Sequence, residues 1–317
     1  MKPQDILADV QGPKYPKEAQ GAPEAPFMGE PLLVGDHSVD LSVSRVLGAL
    51  MQVREDTRTV RHLLHALFNG WSDLAIAAPL LRGFHIGAQL NSSIPEYFQQ
   101  RLCSVDPNPQ SADCTPFEQL LLACRDQAKK LGPEYGRIAD ACDKNYSDER
   151  GMQSDGKELP ELSHRTLRER FKAALNTYYR SNSDMRDFSI DQCALHGSTN
   201  YYKHVLSRLH GLAKEGRVLH AAGALCALEL IIRKEYQVVQ TVLDRQFPTI
   251  TKEQRLYIDD HAEHDLKHYG DLLLGIIRAI VPLKEQSLLR HALVEVFDGA
   301  RRICLAKRTF FEGVRSH

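Results

Sequence analysis

From Val39 onward, nearly every segment of this 317-residue chain carries apolar residues at i, i+3, i+4 and i+7, and long period-two runs are absent. That spacing turns an apolar stripe inward only when the segment is an α-helix, so a sheet-based architecture is excluded at the outset. Breaks in the pattern fall near residues 70, 105–115, 150–160, 181–189, 246–250 and 282–285. They predict helices over roughly 40–69, 72–102, 115–148, 163–180, 188–213, 217–246, 251–281 and 285–315, an all-α bundle of about eight helices. One start is sharply marked. Pro248 blocks continuation of the preceding helix, and "TKEQ" offers Thr251 as an N-cap with Gln254 three residues later.

Residues 1–36 are proline-rich and lack this periodicity, so they read as an extended or partly disordered arm preceding a single helical domain over 37–317. Forty basic and forty-one acidic residues leave a formal charge of −1, which gives no field to draw the chain to nucleic acid or to an anionic membrane. A small molecule is the expected partner. The cysteines, Cys103, Cys114, Cys124, Cys142, Cys193, Cys226 and Cys304, are odd in number and form no C-x-x-C pair, which argues against a disulfide framework and for a reducing cytoplasm. The longest apolar run, 219–232, is short and interrupted by His220 and Glu229, and the N-terminus has no signal-like apolar core. The expectation is a soluble cytoplasmic protein.

Within the segment predicted to start at 251 lies "HAEHDLKH". At 100° per residue, His261, Asp265 and His268 fall within about 60° of one another, while Glu263 points almost opposite. His264 sits at the margin. An aspartate between two histidines on one face could bridge two metal ions while each imidazole holds one. In "LHAAGALCALELII", Glu229 has Ala222, Leu225, Cys226 and Ile232 as its face neighbours, so it must be protonated, paired with a base such as Arg233, or bound to a cation. A third segment, "NYSDERG", ends a helix with Asp148 and Glu149, and "ELSHRTLRERF" begins the next with His164. Together, Glu149, His164, Glu229, His261, Asp265 and His268 supply three carboxylates and three histidines from separate helices. That composition suits a dinuclear iron or manganese site better than a thiolate-rich zinc site.

These segments resemble the haem-oxygenase-like di-iron oxidases and oxygenases, relatives of the thiaminase-like and pyrroloquinoline-quinone-synthase-like helical proteins. The resemblance covers approximately residues 55–315. "RHLLHALFNGWSDLAIAAPLLRGF" looks like that fold's first helix and turn, "GALCALELI" like its second-carboxylate helix, and "GARRICLAKRTFFEGV" like its closing helix. "HAEHDLKH" looks like the family's H-x3-D-x2-H helix. The resemblance implies that the same six residues are the ligands and that no catalytic residue is needed beyond them. Fifteen positions separate Glu149 from His164, more than the family often has, so Asp148 or Glu161 stand as substitutes for the first carboxylate. The resemblance also implies an O2-dependent oxidoreductase of specialised biosynthesis with two Fe(II) ions, manganese being the alternative metal, and O2 as co-substrate. It would oxidise an amino acid or a molecule derived from one, by N-oxygenation, C–C cleavage or desaturation. A homodimer and an external electron donor complete the expected partners.

Two other readings start from the same residues. An HD-type phosphohydrolase would use His264 and Asp265, with His220 upstream and Asp298 downstream. A metal-free, thiaminase-like or ligand-binding member of the same fold would need a nucleophile, for which Cys226 is the nearest thiol to Glu229. Trp71, Tyr178, Tyr179, Tyr201 and Tyr202 are read as core, and Arg82, His85 and Gln89 as a polar stripe of undecided facing.

Overall fold

The computed structural model describes residues 57–76, 90–105, 114–152, 159–182 and 196–315, with isolated positions 43, 47, 48, 51 and 157 besides. The expected arm over 1–36, the stripe of Arg82, His85 and Gln89, and the chain over 188–195 lie outside the described residues. What is described is an all-α bundle. Its helices are α1 (Thr57–Ile76), α2 (Leu90–Val105), α3 (Pro116–Leu131), α4 (Gly136–Glu149), α5 (His164–Asn182), α6 (Gly197–Lys214), α7 (Val218–Gln246), α8 (Lys252–Ile280) and α9 (Gln286–Arg315). Among the described residues no strand occurs, and no helix there is long and apolar enough to cross a membrane.

Among the described residues there are nine helices, and one of the expected eight is divided for an identifiable reason. The predicted 115–148 helix is cut in two by Gly132, which takes φ 134°, and by Pro133, which opens a short 3-10 turn over Pro133–Tyr135. Apolar spacing continues on both sides of that turn, so periodicity alone runs through it. The opposite error occurs at Gly70. The pattern predicts a break there, yet α1 continues past it to Ile76, because an interior glycine only weakens a helix whose face is buried. Thr251 caps α8 as expected: its hydroxyl accepts from the Gln254 N–H while the Gln254 side chain accepts from the Thr251 N–H.

Three long helices carry the core. The N-terminal half of α7 is buried on all sides, from Val218 through Ile232, and the helix packs against both α8 and α9. Its approach to α9 is closer than side chains permit. A Cβ added at Gly223 would lie 2.1 Å from the Val296 carbonyl oxygen, and one at Gly299 only 1.9 Å from that of His220. Glycine at both crossing points lets the two backbones touch. On the far side, Gly275 of α8 receives Ile138 of α4 in the same manner. These contacts fix α7 on α9 and α8 on α4, α7 and α8 pack along each other, and the polar side chains between α4, α5, α7 and α8 form the site.

Candidate metal centre

Two groups of three ligand-type side chains meet between α4, α5, α7 and α8, each with its donor atoms within 4.8 Å of one another. One is Glu149, His164 and His261; the other is Glu229, Asp265 and His268. All six are buried except Glu149, whose side chain keeps 13% of its exposure. The helical-face argument explains three of them: one turn apart on α8, His261, Asp265 and His268 all point inward, while Glu263 is exposed. Glu229 reaches them from the buried middle of α7.

Glu149 and His164 are brought together by the chain between them. Gly151 takes φ 69°, which turns the backbone so that the Leu159 N–H donates to the Gly151 carbonyl at 2.9 Å. The 3-10 turn Pro160–Leu162 and a Ser163 hydroxyl that accepts from the Thr166 N–H then start α5, with His164 as its first residue. Glu161, the alternative first carboxylate, is exposed on that turn. Asp148, the other alternative, lies 2.8 Å from His268 Nε2 instead.

The outer contacts give two of the three imidazoles a direction. His268 holds Asp148 on Nε2 and turns Nδ1 toward Glu229 and Asp265, at 3.8 and 3.9 Å. His164 holds Asp260 on Nε2 at 2.9 Å and turns Nδ1 toward Glu149. A carboxylate behind each ring is the arrangement that fixes the tautomer and raises the basicity of a metal-binding histidine. Asn145 adds a hydrogen bond from Nδ2 to Glu229 Oε1 at 2.5 Å. The two groups touch through His261, whose Nδ1 is 3.0 Å from Asp265 Oδ1. Sequence reasoning missed Asn145 and Asp260 altogether. Spacing offered a signal for Asp260, because it precedes His261 on a helix already rich in ligands; nothing in the sequence marked Asn145.

Without a cation, protons carry the compensation. Burial resists ionisation of Glu149, but His164, backed by His261 and His268, brings it down to about 2. Burial and the neighbouring Glu229 charge push the Asp265 carboxyl well above the usual carboxylate range. Burial opposes charge on His268 and on His164, yet Asp148 and Glu229 lift the first to about 10, and Glu149 and Asp260 raise the second. His261 goes the other way, driven down by burial and by the His164 cation.

A cation fits this set. The Oδ2 of Asp265 is buried without a hydrogen-bond partner, and His164 Nδ1 lies 3.0 Å from Glu149 Oε1 without the alignment of a hydrogen bond. Donor atoms that converge without bonding are what a shared ion would satisfy. The site also has access. A cavity of about 40 Å³ is lined by Glu149, Glu229 and His261, by Arg101 and Tyr202, and by apolar side chains such as Leu228. Tyr202, read from sequence as core, is therefore buried and also part of the cavity wall.

The competing readings fare differently. His220 and Asp298 do meet, at 3.3 Å, but in a cluster with Arg217 and Arg302. His220 lies nine residues, about 13 Å, along α7 from Glu229. His264 is exposed and paired with Asp260, so the HD constellation is not assembled. Cys226 is buried, its thiol pushed well up by burial and by Glu229, which is the environment of an inert cysteine. Arg233 does not pair with Glu229; Asn145 does.

No family model matches the chain, and no curated protein matches its sequence. Among solved structures, the crystal structure of a CADD-like protein of unknown function from Nostoc punctiforme is similar, with a TM-score of 0.54 over 87% of this chain and 98% of that one. At 14% identity the likeness shows the fold alone.

Proposed function

We propose that this protein is a non-haem di-iron oxidase or oxygenase that uses O2 to oxidise a small molecule, an amino acid or a compound derived from one. The observation that carries the reading is the pairing of two carboxylate–histidine groups that share the His261–Asp265 contact and border one cavity. The all-α fold and its CADD-like neighbour are compatible with the haem-oxygenase-like superfold that the motifs resemble.

In this reading, Glu149, His164 and His261 hold one ion and Glu229, Asp265 and His268 the other, with manganese the alternative to iron. Bound iron would supply the redox chemistry with O2. The protein's own part is positional and electrostatic. Asp148 and Asp260 aim two imidazoles and hold the protons of the nitrogens turned away from the ions. Asn145 orients Glu229. The apolar cavity wall limits water around the reacting molecule, which protects a reactive centre from side reactions. An external electron donor, a homodimer and a cytoplasmic setting belong to the same proposal.

The test is anaerobic reconstitution with Fe(II), followed by metal analysis and O2 uptake with a panel of amino acids. Two ions per chain are expected in the wild type, fewer in Glu229→Ala and Asp265→Ala, and two in Glu263→Ala. Unchanged metal content and O2 reactivity in Glu229→Ala would overturn the dinuclear reading.

A further inference from the structure

Of the polar groups bordering the cavity, Glu149, Glu229 and His261 belong to the metal centre. Arg101 is committed elsewhere: its Nε donates to Glu235 Oε1 at 3.0 Å, and Lys307 Nζ takes the other oxygen of that carboxylate at 2.8 Å. Tyr257 is different. It stands on α8 one turn before His261, is only 4% exposed and lines the cavity. Its ring centre lies 4.9 Å from that of His261 and 6.1 Å from that of His164, so it flanks one of the two ligand groups. Among the described residues its hydroxyl has one hydrogen-bond partner, the Tyr236 hydroxyl of α7 at 3.2 Å. Each phenol brings one O–H proton and an oxygen that accepts. Two phenols joined by one hydrogen bond use one proton between them, whichever donates, and the other proton is left over. As observed, Tyr236 donates, so the unused proton is that of Tyr257. The contact is also longer than the separation of about 2.7–2.8 Å usual between hydroxyls, so it holds Tyr257 only loosely. A buried donor without an acceptor is costly, and packing alone would be served by phenylalanine. Tyr236 is buried and is not among the described residues lining the cavity, so the cavity is where the spare proton can meet an acceptor.

We propose that Tyr257 is a substrate-binding residue: its hydroxyl donates a hydrogen bond to a substrate oxygen, of a carboxylate or a carbonyl, and holds that oxygen against the His164–His261 side of the cavity. The inference rests on the proposed function for the word substrate, but not for the binding. A phenol donates without carrying a charge, so it accepts either class of oxygen. Its ring is held between those of Tyr236, at 5.7 Å, and His261, which fixes where the hydroxyl stands. Tyr236, by donating to the Tyr257 oxygen, polarises the Tyr257 O–H and strengthens its donation to the ligand. The two tyrosines thus have unequal parts. Both make the same bond to each other, but only Tyr257 touches what enters the cavity.

The experiment titrates acetate, and separately acetamide, into Fe(II)-treated and metal-free wild type, Tyr257→Phe and Tyr236→Phe, with calorimetric detection. Tyr257→Phe should bind acetate about tenfold to a hundredfold more weakly than the wild type, or acetamide about threefold to tenfold more weakly. Tyr236→Phe should change either by less than about threefold. A loss for one probe alone supports the proposal and names the class of oxygen. The infrared difference spectrum on adding the probe supplies a signature that a structural role would not give: a phenol C–O band that shifts in the wild type and in Tyr236→Phe and is absent in Tyr257→Phe. Equal losses in the two variants overturn the proposal, because each breaks the same bond between the tyrosines. Unchanged binding in Tyr257→Phe, or no binding of either probe, overturns it too. When either result comes with two Fe(II) ions per chain, the di-iron reading stands. Binding that depends on Tyr257 in a protein that takes up no Fe(II) keeps the proposal and removes the di-iron reading. Should Tyr257→Phe fail to fold, the phenol band decides: its persistence in both Tyr236→Phe and Tyr202→Phe supports Tyr257, and its absence from the wild type overturns it.

Discussion

Replacing Gly299 by alanine tests the packing that holds Glu229 in place. The added Cβ would sit 1.9 Å from the His220 carbonyl oxygen, whereas an ordinary contact begins at 3.4 Å, so α7 and α9 must part by about 1.5 Å. Both partners in this clash belong to helix backbone, and no rotamer change relieves it. Alanine gains about 1 kcal/mol over glycine in a helix interior. Against that stands an overpacking cost of about 1–3 kcal/mol, with more lost as a gap of this width weakens dispersion contacts along two helices of 29 and 30 residues. The helix gain leaves about 0–2 kcal/mol of that cost and the weakened dispersion contacts add to it, so the expected net loss is about 2 kcal/mol, a fall in Tm of roughly 4–8 °C. Gly270→Ala is the control. Its Cβ would meet nothing within 4 Å, so the same substitution one residue from Tyr269 should raise Tm by about 2 °C. Calorimetric melting of the two variants against the wild type decides. A Gly299→Ala protein as stable as the wild type would refute the claim that backbone contact fixes α7.

Other consequences can be checked on the same material. Asn145→Leu removes the hydrogen bond to Glu229 at nearly constant volume and should weaken Fe(II) affinity about tenfold to a hundredfold, read by competition with a chelator of known affinity; an unchanged constant would deny Asn145 its role. His268, raised from 6.5 to about 10, contributes stability in full below pH 6.5 and loses it as pH climbs through 10, so the Tm of metal-free protein should fall from pH 7 to 10. Loading with Fe(II) should release protons from His268, His164 and Asp265, detectable with an indicator dye in weak buffer, and should flatten that decline. Amide exchange should be faster over 255–270 in metal-free than in metal-loaded protein, since the ligand-bearing part of α8 loses its counter-cations at once; equal protection in both states would sink that expectation.

How much of this could be read from the sequence depended on whether a residue contradicted its surroundings. Glu229 in an alanine and leucine face did so, and the three residues on α8 did so by sharing a face, hence their joint burial was foreseeable. Asp148 and Asp260 did not, because a carboxylate on a helix surface looks the same whether it faces water or the back of an imidazole. Arg101, Glu235 and Lys307 are three ordinary charges on α2, α7 and α9, and only the tertiary fold reveals that they meet away from water. Gly132–Pro133 carried its signal openly, but helical periodicity on either side outweighed it. At Gly70 the same reasoning fails in reverse: a glycine in a strongly apolar segment looks able to end a helix that tertiary burial sustains.

The two groups of ligands differ in how they are rooted. Glu229, Asp265 and His268 project from the interiors of two 29-residue helices, and withdrawing any of them means displacing a rod anchored along its whole length. Glu149 and His164 stand at the last residue of one helix and the first of another, either side of a turn that pivots on Gly151. That turn is itself close-packed: a Cβ added at Gly151 would lie 2.6 Å from the Leu159 carbonyl oxygen and 2.7 Å from the Ser163 nitrogen. One group is thus rooted wholly in continuous helices, while the other joins two residues of a helix junction to His261 of the same α8 rod.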